Sequence, residues 1–236
     1  MKRFLLVALA MVALVFTSCK QSEESAALKI SKVDLTNRTV DEVFAEIAPE
    51  KIACGNWCAE FPDAPETEFR AFHTGDKLYM RFDVRENLTF ARHAVDNGDI
   101  WTDSACEFYF SFDGKSYYTI EMNCIGYMLA AYYPEPRKNV IRAGEEILSQ
   151  VERITTLGRE AFGIREGDNS WSLTMVLPTT ICHQHDLKSW DGLKITSNLY
   201  KCGNRPEQPH FISWQPVPTP KPDFHSPQFF KTIVFE

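Results

Sequence analysis

Apolar and polar residues alternate with period two over most of this chain. In residues 77–84 (KLYMRFDV), Leu78, Met80, Phe82 and Val84 share one face, while Tyr79, Arg81 and Asp83 share the other. That alternation predicts a half-buried strand. Residues 170–177 repeat it with Trp171, Leu173, Met175 and Leu177 inward. The same reading places strands at 68–73, 105–112, 117–123, 127–132, 151–157, 193–200 and 232–235, and ends a first strand at 33–35. Only residues 37–49 carry helical spacing, in Val40, Val43, Phe44 and Ile47, and Pro49 stops them. A helical turn is expected at 178–185, and the proline-rich stretch 206–227 reads as a long rigid loop. Many strands, turn residues between them and no long amphipathic helix predict an all-β fold. The expected form is an antiparallel β-sandwich of immunoglobulin-like or jelly-roll type, with one or two short helices, over residues 30–236.

The segments 105–112 and 117–123 flank Asp113-Gly114-Lys115, a hairpin signal. A two-residue loop would pair Phe108 with Thr119 and mix core with solvent faces. A three-residue loop pairs Phe110 with Tyr118, Phe108 with Ile120 and Cys106 with Met122, so that one face is apolar throughout. A one-residue slip would turn every side chain over, so the second register is preferred. It sets Glu107 directly opposite Glu121 on the other face, with Tyr109 and Thr119 beside them and Asn123 following Glu121. Facing carboxylates repel. They require a cation, a shared proton or hydroxyl donors, or else full solvation on an exposed face. Ionised carboxylates only accept hydrogen bonds, and sugar hydroxyls are ready donors.

The N-terminus has a different pattern. Lys2 and Arg3 precede an unbroken apolar run, residues 4–16, followed by Thr17, Ser18 and Cys19. A positive start, a short apolar stretch and small residues at the cut describe a secretory signal peptide over residues 1–18. The run is shorter than the roughly 20 apolar residues that span a bilayer. Phe16-Thr17-Ser18-Cys19 resembles a bacterial lipobox, with Phe16 in place of the usual leucine, which implies cleavage before Cys19 and its lipidation. Residues 19–29 then read as a polar tether. An outer-membrane lipoprotein is expected, surface-exposed if Glu23 and Glu24 serve as an export signal.

The formal charge of −7 becomes −9 when Lys2 and Arg3 leave with the leader. Such a chain has no electrostatic attraction to nucleic acid or anionic lipid, so its membrane contact would be the anchor alone. Six cysteines remain after Cys19, and the sequence does not choose among their 15 pairings. Cys54 and Cys58 are close enough in sequence to pair, whereas Cys106 and Cys124 also fit as small core residues. Aromatic residues make up 13% of the chain. A sandwich core absorbs many of them, and sugar-binding surfaces use such rings. Trp101 stands in a loop just before the hairpin and Trp214 in the C-terminal loop region, where they form two candidate walls of one pocket.

Residues 101–110 (WTDSACEFYF) and 117–126 (YYTIEMNCIG) resemble family 9 carbohydrate-binding modules, and more closely the stand-alone family 9-like lipoproteins of Bacteroidetes. Asn56-Trp57, residues 78–86 and residues 211–230 fit the same resemblance. It implies a β-sandwich that clamps a sugar between two tryptophans. On that basis Trp101 is the first tryptophan, Glu107 its following glutamate, Asn123 a sugar-contacting asparagine and Trp214 the second tryptophan. Glu121 stands where the family has an arginine, so sugar specificity does not carry over. The family also implies a structural calcium. Asp96-Asn97-Gly98-Asp99 offers oxygen ligands but lacks the pattern of an EF-hand loop and reads as a turn, so no cofactor or metal is assigned.

The expected function is non-catalytic binding of an oligo- or polysaccharide through Trp101, Glu107, Tyr109, Glu121, Asn123 and Trp214, in support of polysaccharide capture or breakdown. The alternative is a glycoside hydrolase using Glu107 and Glu121, since retaining enzymes hold two carboxyls about 5–5.5 Å apart. A haem-binding reading has six histidines available but no C-x-x-C-H motif. No G-x-S-x-G elbow or phosphate-cradling glycine motif is present.

Overall fold

The alternating segments pair into two sheets in a computed structural model of the chain, which describes residues 27–204 and 208–236. In chain order the strands are β1 (Leu28–Ile30), β2 (Glu50–Lys51), β3 (Glu66–His73), β4 (Lys77–Ala91), β5 (Ala105–Ser111), β6 (Tyr117–Asn123), β7 (Met128–Tyr133), β8 (Ile141–Arg142), β9 (Glu152–Thr155), β10 (Phe162–Pro178), β11 (Lys194–Gly203), β12 (His210–Ser213) and β13 (Lys231–Phe235). Two short helices, α1 (Val40–Glu46) and α2 (Glu145–Leu148), join them. The large sheet runs β1-β13-β11-β5-β6-β7-β8, with β12 also on β11, and the small sheet runs β2-β3-β4-β10-β9. All pairings are antiparallel except β1 with β13. The expected sandwich is observed. The signal peptide, Cys19 and tether residues 20–26 lie outside the described residues. Leu28 and Lys29, assigned to the tether, already pair with Ile233 and Val234.

The core lies between the sheets and draws on the inward positions of both. Phe69, Phe82 and Leu173 meet Phe108, Phe110, Ile120 and Leu199 there, all essentially inaccessible to solvent. Each such side chain contributes about 1.5–3 kcal/mol by leaving water. One charged pair also crosses this core. Lys201 of β11 places Nζ 2.8 Å from Glu86 Oε2 of β4. Trp171 Nε1 of β10 donates to Glu86 Oε1 at 2.8 Å, and Lys201 Nζ lies 2.7 Å from His210 Nε2. Burial alone would raise the Glu86 carboxyl, but Lys201, His210 and the Trp171 donor hold it below its ordinary value.

Helix α1 starts where Thr39 and Glu42 form a capping box, each side chain bonding the other's backbone N–H. It packs Val43 and Phe44 on the outside of the small sheet, against Phe72 and Tyr79. Val33 and Leu35, read as the end of a strand, pack there instead. The first strand is β1, two residues upstream of Lys32, whose bridge partner is His73. The proline-rich stretch is not loop throughout, because it contains β12. All six described cysteines are free thiols, so Cys54 and Cys58 do not pair. Cys106, Cys124, Cys182 and Cys202 are buried.

Candidate functional site

The predicted hairpin register is the observed one. Glu107 pairs with Glu121, Phe108 with Ile120 and Phe110 with Tyr118. The face carrying the two glutamates is not solvated, however. Glu107 is 2% and Glu121 4% exposed. A second aromatic layer, with Trp57, Tyr117, Tyr200, Val217 and Phe224, lies over that face of the large sheet. The segments that carry it are pinned to each other. Trp57 Nε1 donates to the Thr219 carbonyl at 2.8 Å, and the Val217 N–H donates to Asn56 Oδ1 at 2.7 Å. The prolines at 216, 218, 220 and 222 have no N–H to pair, so this strap crosses the sheet without extending it.

Over the glutamates the layer opens into a cavity of about 440 Å³. Glu107, Tyr109, Glu121 and Cys202 line its floor, Trp101, Phe211 and Phe224 line its walls together with Tyr133 and His225, and Arg137 and Arg142 stand at its rim. Trp101 projects from a short 3-10 turn (Ile100–Thr102). Its neighbour Ile100 is fully buried and anchors the turn, while the Trp101 ring stays 42% exposed, free to meet a ligand. Phe224 is held in the lining by stacking on Tyr200, with ring centroids 4.0 Å apart and planes 12° from parallel. Arg137 pairs with Asp223 at 2.6 Å, and Arg142 Nη1 donates to the Asn97 carbonyl at 2.7 Å.

The facing carboxyls are only partly matched. Tyr109 Oη donates to Glu121 Oε1 at 3.0 Å, and Cys202 Sγ donates to Glu107 Oε1 at 3.0 Å. The second oxygen of each, Oε2, is buried and has no partner. Burial pushes Glu107 up to about 7. Burial and then the Glu107 charge push Glu121 well above the usual carboxylate range. Two buried acids facing one another therefore hold protons at pH values where solvent carboxyls have lost theirs. Beside them, burial drives His225 down to about 4, leaving a neutral ring whose Nδ1 is 3.0 Å from Tyr117 Oη.

Two expected site residues lie elsewhere. Trp214 is 7% exposed in the core between the sheets, edge-on to Phe69 with centroids 5.8 Å apart. The Trp214 N–H bonds the Leu199 carbonyl, and its Nε1 donates to Glu50 Oε2 at 3.2 Å, which turns the ring to the small sheet. Phe211 and Phe224 line the cavity with Trp101, and Trp214 does not. Asn123 is wholly buried, and its amide is fully used: Nδ2 donates to the His93 carbonyl at 2.8 Å and to Asp103 Oδ2 at 2.9 Å, and Oδ1 accepts from the Tyr127 N–H at 2.9 Å. It fastens the turn after β6 and does not line the cavity. Asn123→Ala is accordingly expected to cost at least about 2 kcal/mol in urea unfolding, since it strands buried partners. A loss of ligand affinity without loss of stability would show direct contact instead.

The loop proposed for calcium does not suit the ion. Asp96 gives both carboxylate oxygens to Arg153 Nη1 at 2.7 and 2.8 Å, and its Oδ1 also accepts the Met128 N–H. Asn97 takes a left-handed φ of 58° and donates to the Ala143 carbonyl. The acidic group is matched by the protein's own guanidinium, as in a turn. Among the described residues no cluster of three or more His, Cys, Asp or Glu is arranged to hold a metal.

Sequence reasoning missed the cavity residues Tyr133, Arg137, Arg142, Phe211, Phe224 and His225, because most come from strand ends and loops whose approach to β5 and β6 is not local. Comparison with known proteins supports a shared architecture. A protein from Bacteroides uniformis, to which carbohydrate binding has been ascribed, is 35% identical and superposes with a TM-score of 0.84, over 89% of this chain and 99% of its own. A family 9 carbohydrate-binding module from Caldicellulosiruptor kristjanssonii shares the fold at 10% identity. Its glucose complex has a TM-score of 0.59 over 89% of this chain and 96% of that one. Its cellotriose complex has a TM-score of 0.56 over 89% and 94%. Among curated proteins no sequence matches the chain. The profile of carbohydrate-binding family 9 matches residues 38–235, and the chain belongs to that family.

Proposed function

We propose that this chain binds an oligosaccharide end, without cleaving it, in the cavity over Glu107 and Glu121. The observation that carries this reading is a 440 Å³ cavity lined by an exposed Trp101, by Phe211 and Phe224, and by the acceptors of Glu107 and Glu121. Aromatic faces stack on the apolar faces of sugar rings, while carboxyl and hydroxyl groups meet their hydroxyls. The volume suits one or two sugar residues rather than an extended chain. Family membership favours binding over hydrolysis, since family 9 modules are not catalytic.

Calorimetric titration against a panel of soluble oligosaccharides, cellotriose included, tests the reading. Trp101→Ala is expected to weaken binding at least roughly tenfold, the loss of about 1.4 kcal/mol of ring contact. Equal affinity in wild type and Trp101→Ala, or no binding across the panel, would sink it. Incubation with the bound oligosaccharide should release no shorter sugar. Release that disappears in Glu107→Gln would restore the hydrolase reading.

Location belongs to the same proposal. The leader, Cys19 and the residues to the start of β1 suit an envelope lipoprotein that holds the sandwich off an outer membrane and serves polysaccharide capture. Labelling with radioactive palmitate, lost in Cys19→Ala, is the expected outcome.

A further inference from the structure

We propose that the cavity selects a sugar bearing a free amine, whose ammonium group is taken by the opposed carboxyls of Glu107 and Glu121. This rests on the oligosaccharide-binding reading above and names the substrate class of that site.

The register on β5 and β6 holds the two residues directly opposite one another. Such positions keep their Cβ atoms about 4.5–5.5 Å apart. Tyr109 and Cys202 supply one donor to each carboxyl, and each Oε2 stays buried without any. Among the described residues no side chain donates to either Oε2 at hydrogen-bond distance, and a donor that brings positive charge would let both acids ionise. A neutral hydroxyl offers a single proton and no charge. An ammonium offers three N–H donors and a full charge.

Among the described residues no cation fills this role. Lys201 projects from β11 into the core on the opposite side of the sheet, where Glu86 already matches it. Arg137 at the rim is paired with Asp223. Arg142 also stands at the rim and lowers Glu121 somewhat, yet burial and the Glu107 charge outweigh it. The other titratable neighbours are Tyr109, Tyr133, Tyr200, Cys202 and His225. Burial keeps the tyrosines and the thiol protonated and the imidazole neutral. With Arg137 matched, the described lining carries two acids against one unmatched base. A bound ammonium lets both acids ionise and leaves the floor close to neutral.

Three trisaccharides with one linkage provide the test: cellotriose, its counterpart built of glucosamine, and the N-acetylated counterpart. Each is titrated calorimetrically at pH 6 in two buffers of different ionisation enthalpy. The glucosamine trimer is expected to bind roughly tenfold tighter than either neutral trimer, as charge-assisted hydrogen bonds are about twice as strong as neutral ones. Its binding should release protons, seen as a heat that differs between the buffers. In Glu107→Gln/Glu121→Gln the affinity ratio should fall to about one, and in Glu121→Gln to an intermediate value. Equal or tighter binding of a neutral trimer, or a preference that survives in the double variant, overturns the inference. So does ethanolamine binding as tightly as the amino trimer, because the site would then read an amine and no sugar. If cellotriose binds through Trp101 without amine preference, only this inference falls. If no sugar binds at all, the parent reading falls with it.

Discussion

Lys201→Met is expected to destabilise the protein by about 3–5 kcal/mol, the typical cost of leaving one member of a buried ion pair behind. The geometry makes the site unforgiving. Lys201 Nζ and the Glu86 carboxylate are both essentially inaccessible, 2.8 Å apart, and belong to opposite sheets. Removing the ammonium strands Glu86 among Trp171, His210 and the core, with only the indole N–H as donor. Its carboxyl, now held low by Lys201 and His210, should take up a proton near neutral pH. Urea unfolding of the variant should therefore show a steeper fall in stability with rising pH than the parent. Lys201→Met combined with Glu86→Gln removes the stranded charge and should recover a substantial part of the loss. A single-variant cost under about 1 kcal/mol would mean that water reaches the pair and that it does not join the sheets.

The elements visible in the sequence were those whose partners are close in the chain. The hairpin of β5 and β6 is local, its turn residues are explicit, and period-two alternation admits only one register. Glu107 could thus be set opposite Glu121 without a structure. Trp171 was placed in the core by the same alternation, and it lies there. Lys201 shows the limit. It follows Leu199 on the inward face of β11, a position where alternation demands an apolar residue, so the pattern ends the strand at Tyr200. It continues to Gly203 because Glu86, more than a hundred residues earlier, meets the charge.

The site was half legible for a similar reason. Trp101, Glu107, Tyr109 and Glu121 do converge. Their environment was the error, because a face that alternation marks as polar need not be wet. The strap through Val217 and Phe224 buries it, and that crossing is fixed by Asn56 and Trp57, about 160 residues away. Trp214 follows β12 directly, where a side chain can turn to either layer. The bond from its N–H to Leu199 turns it inward. Asn123 carries a residue type that suits sugar contact, but its three hydrogen bonds close the turn at the end of β6. Neither fact has a trace in local pattern.

Glu121→Gln is expected to gain stability over the parent chain progressively as pH rises from 5 to 8. In the parent, burial lifts Glu107 to about 7 and, with the Glu107 charge, lifts Glu121 well above its ordinary 4.5. An unfolded glutamate loses its proton near 4.3. Below that value both states are protonated and the pair costs nothing. Above it the folded chain keeps protons that the unfolded chain has released, so stability falls as pH rises toward and past 7. Glutamine removes one acid and the repulsion on the other, and its amide oxygen can still accept from Tyr109. The histidines act in the opposite sense. His225 and His210 are held low, first by burial, so they erode stability as pH falls below about 6.5. The parent profile mixes both trends, but the difference between variant and parent cancels the histidines. Urea unfolding of both proteins at intervals from pH 5 to pH 8 isolates the pair. A difference that stays flat across that range would mean that the carboxyls ionise as they do in water. Two buried, facing carboxyls with an unpartnered oxygen on each do not allow that.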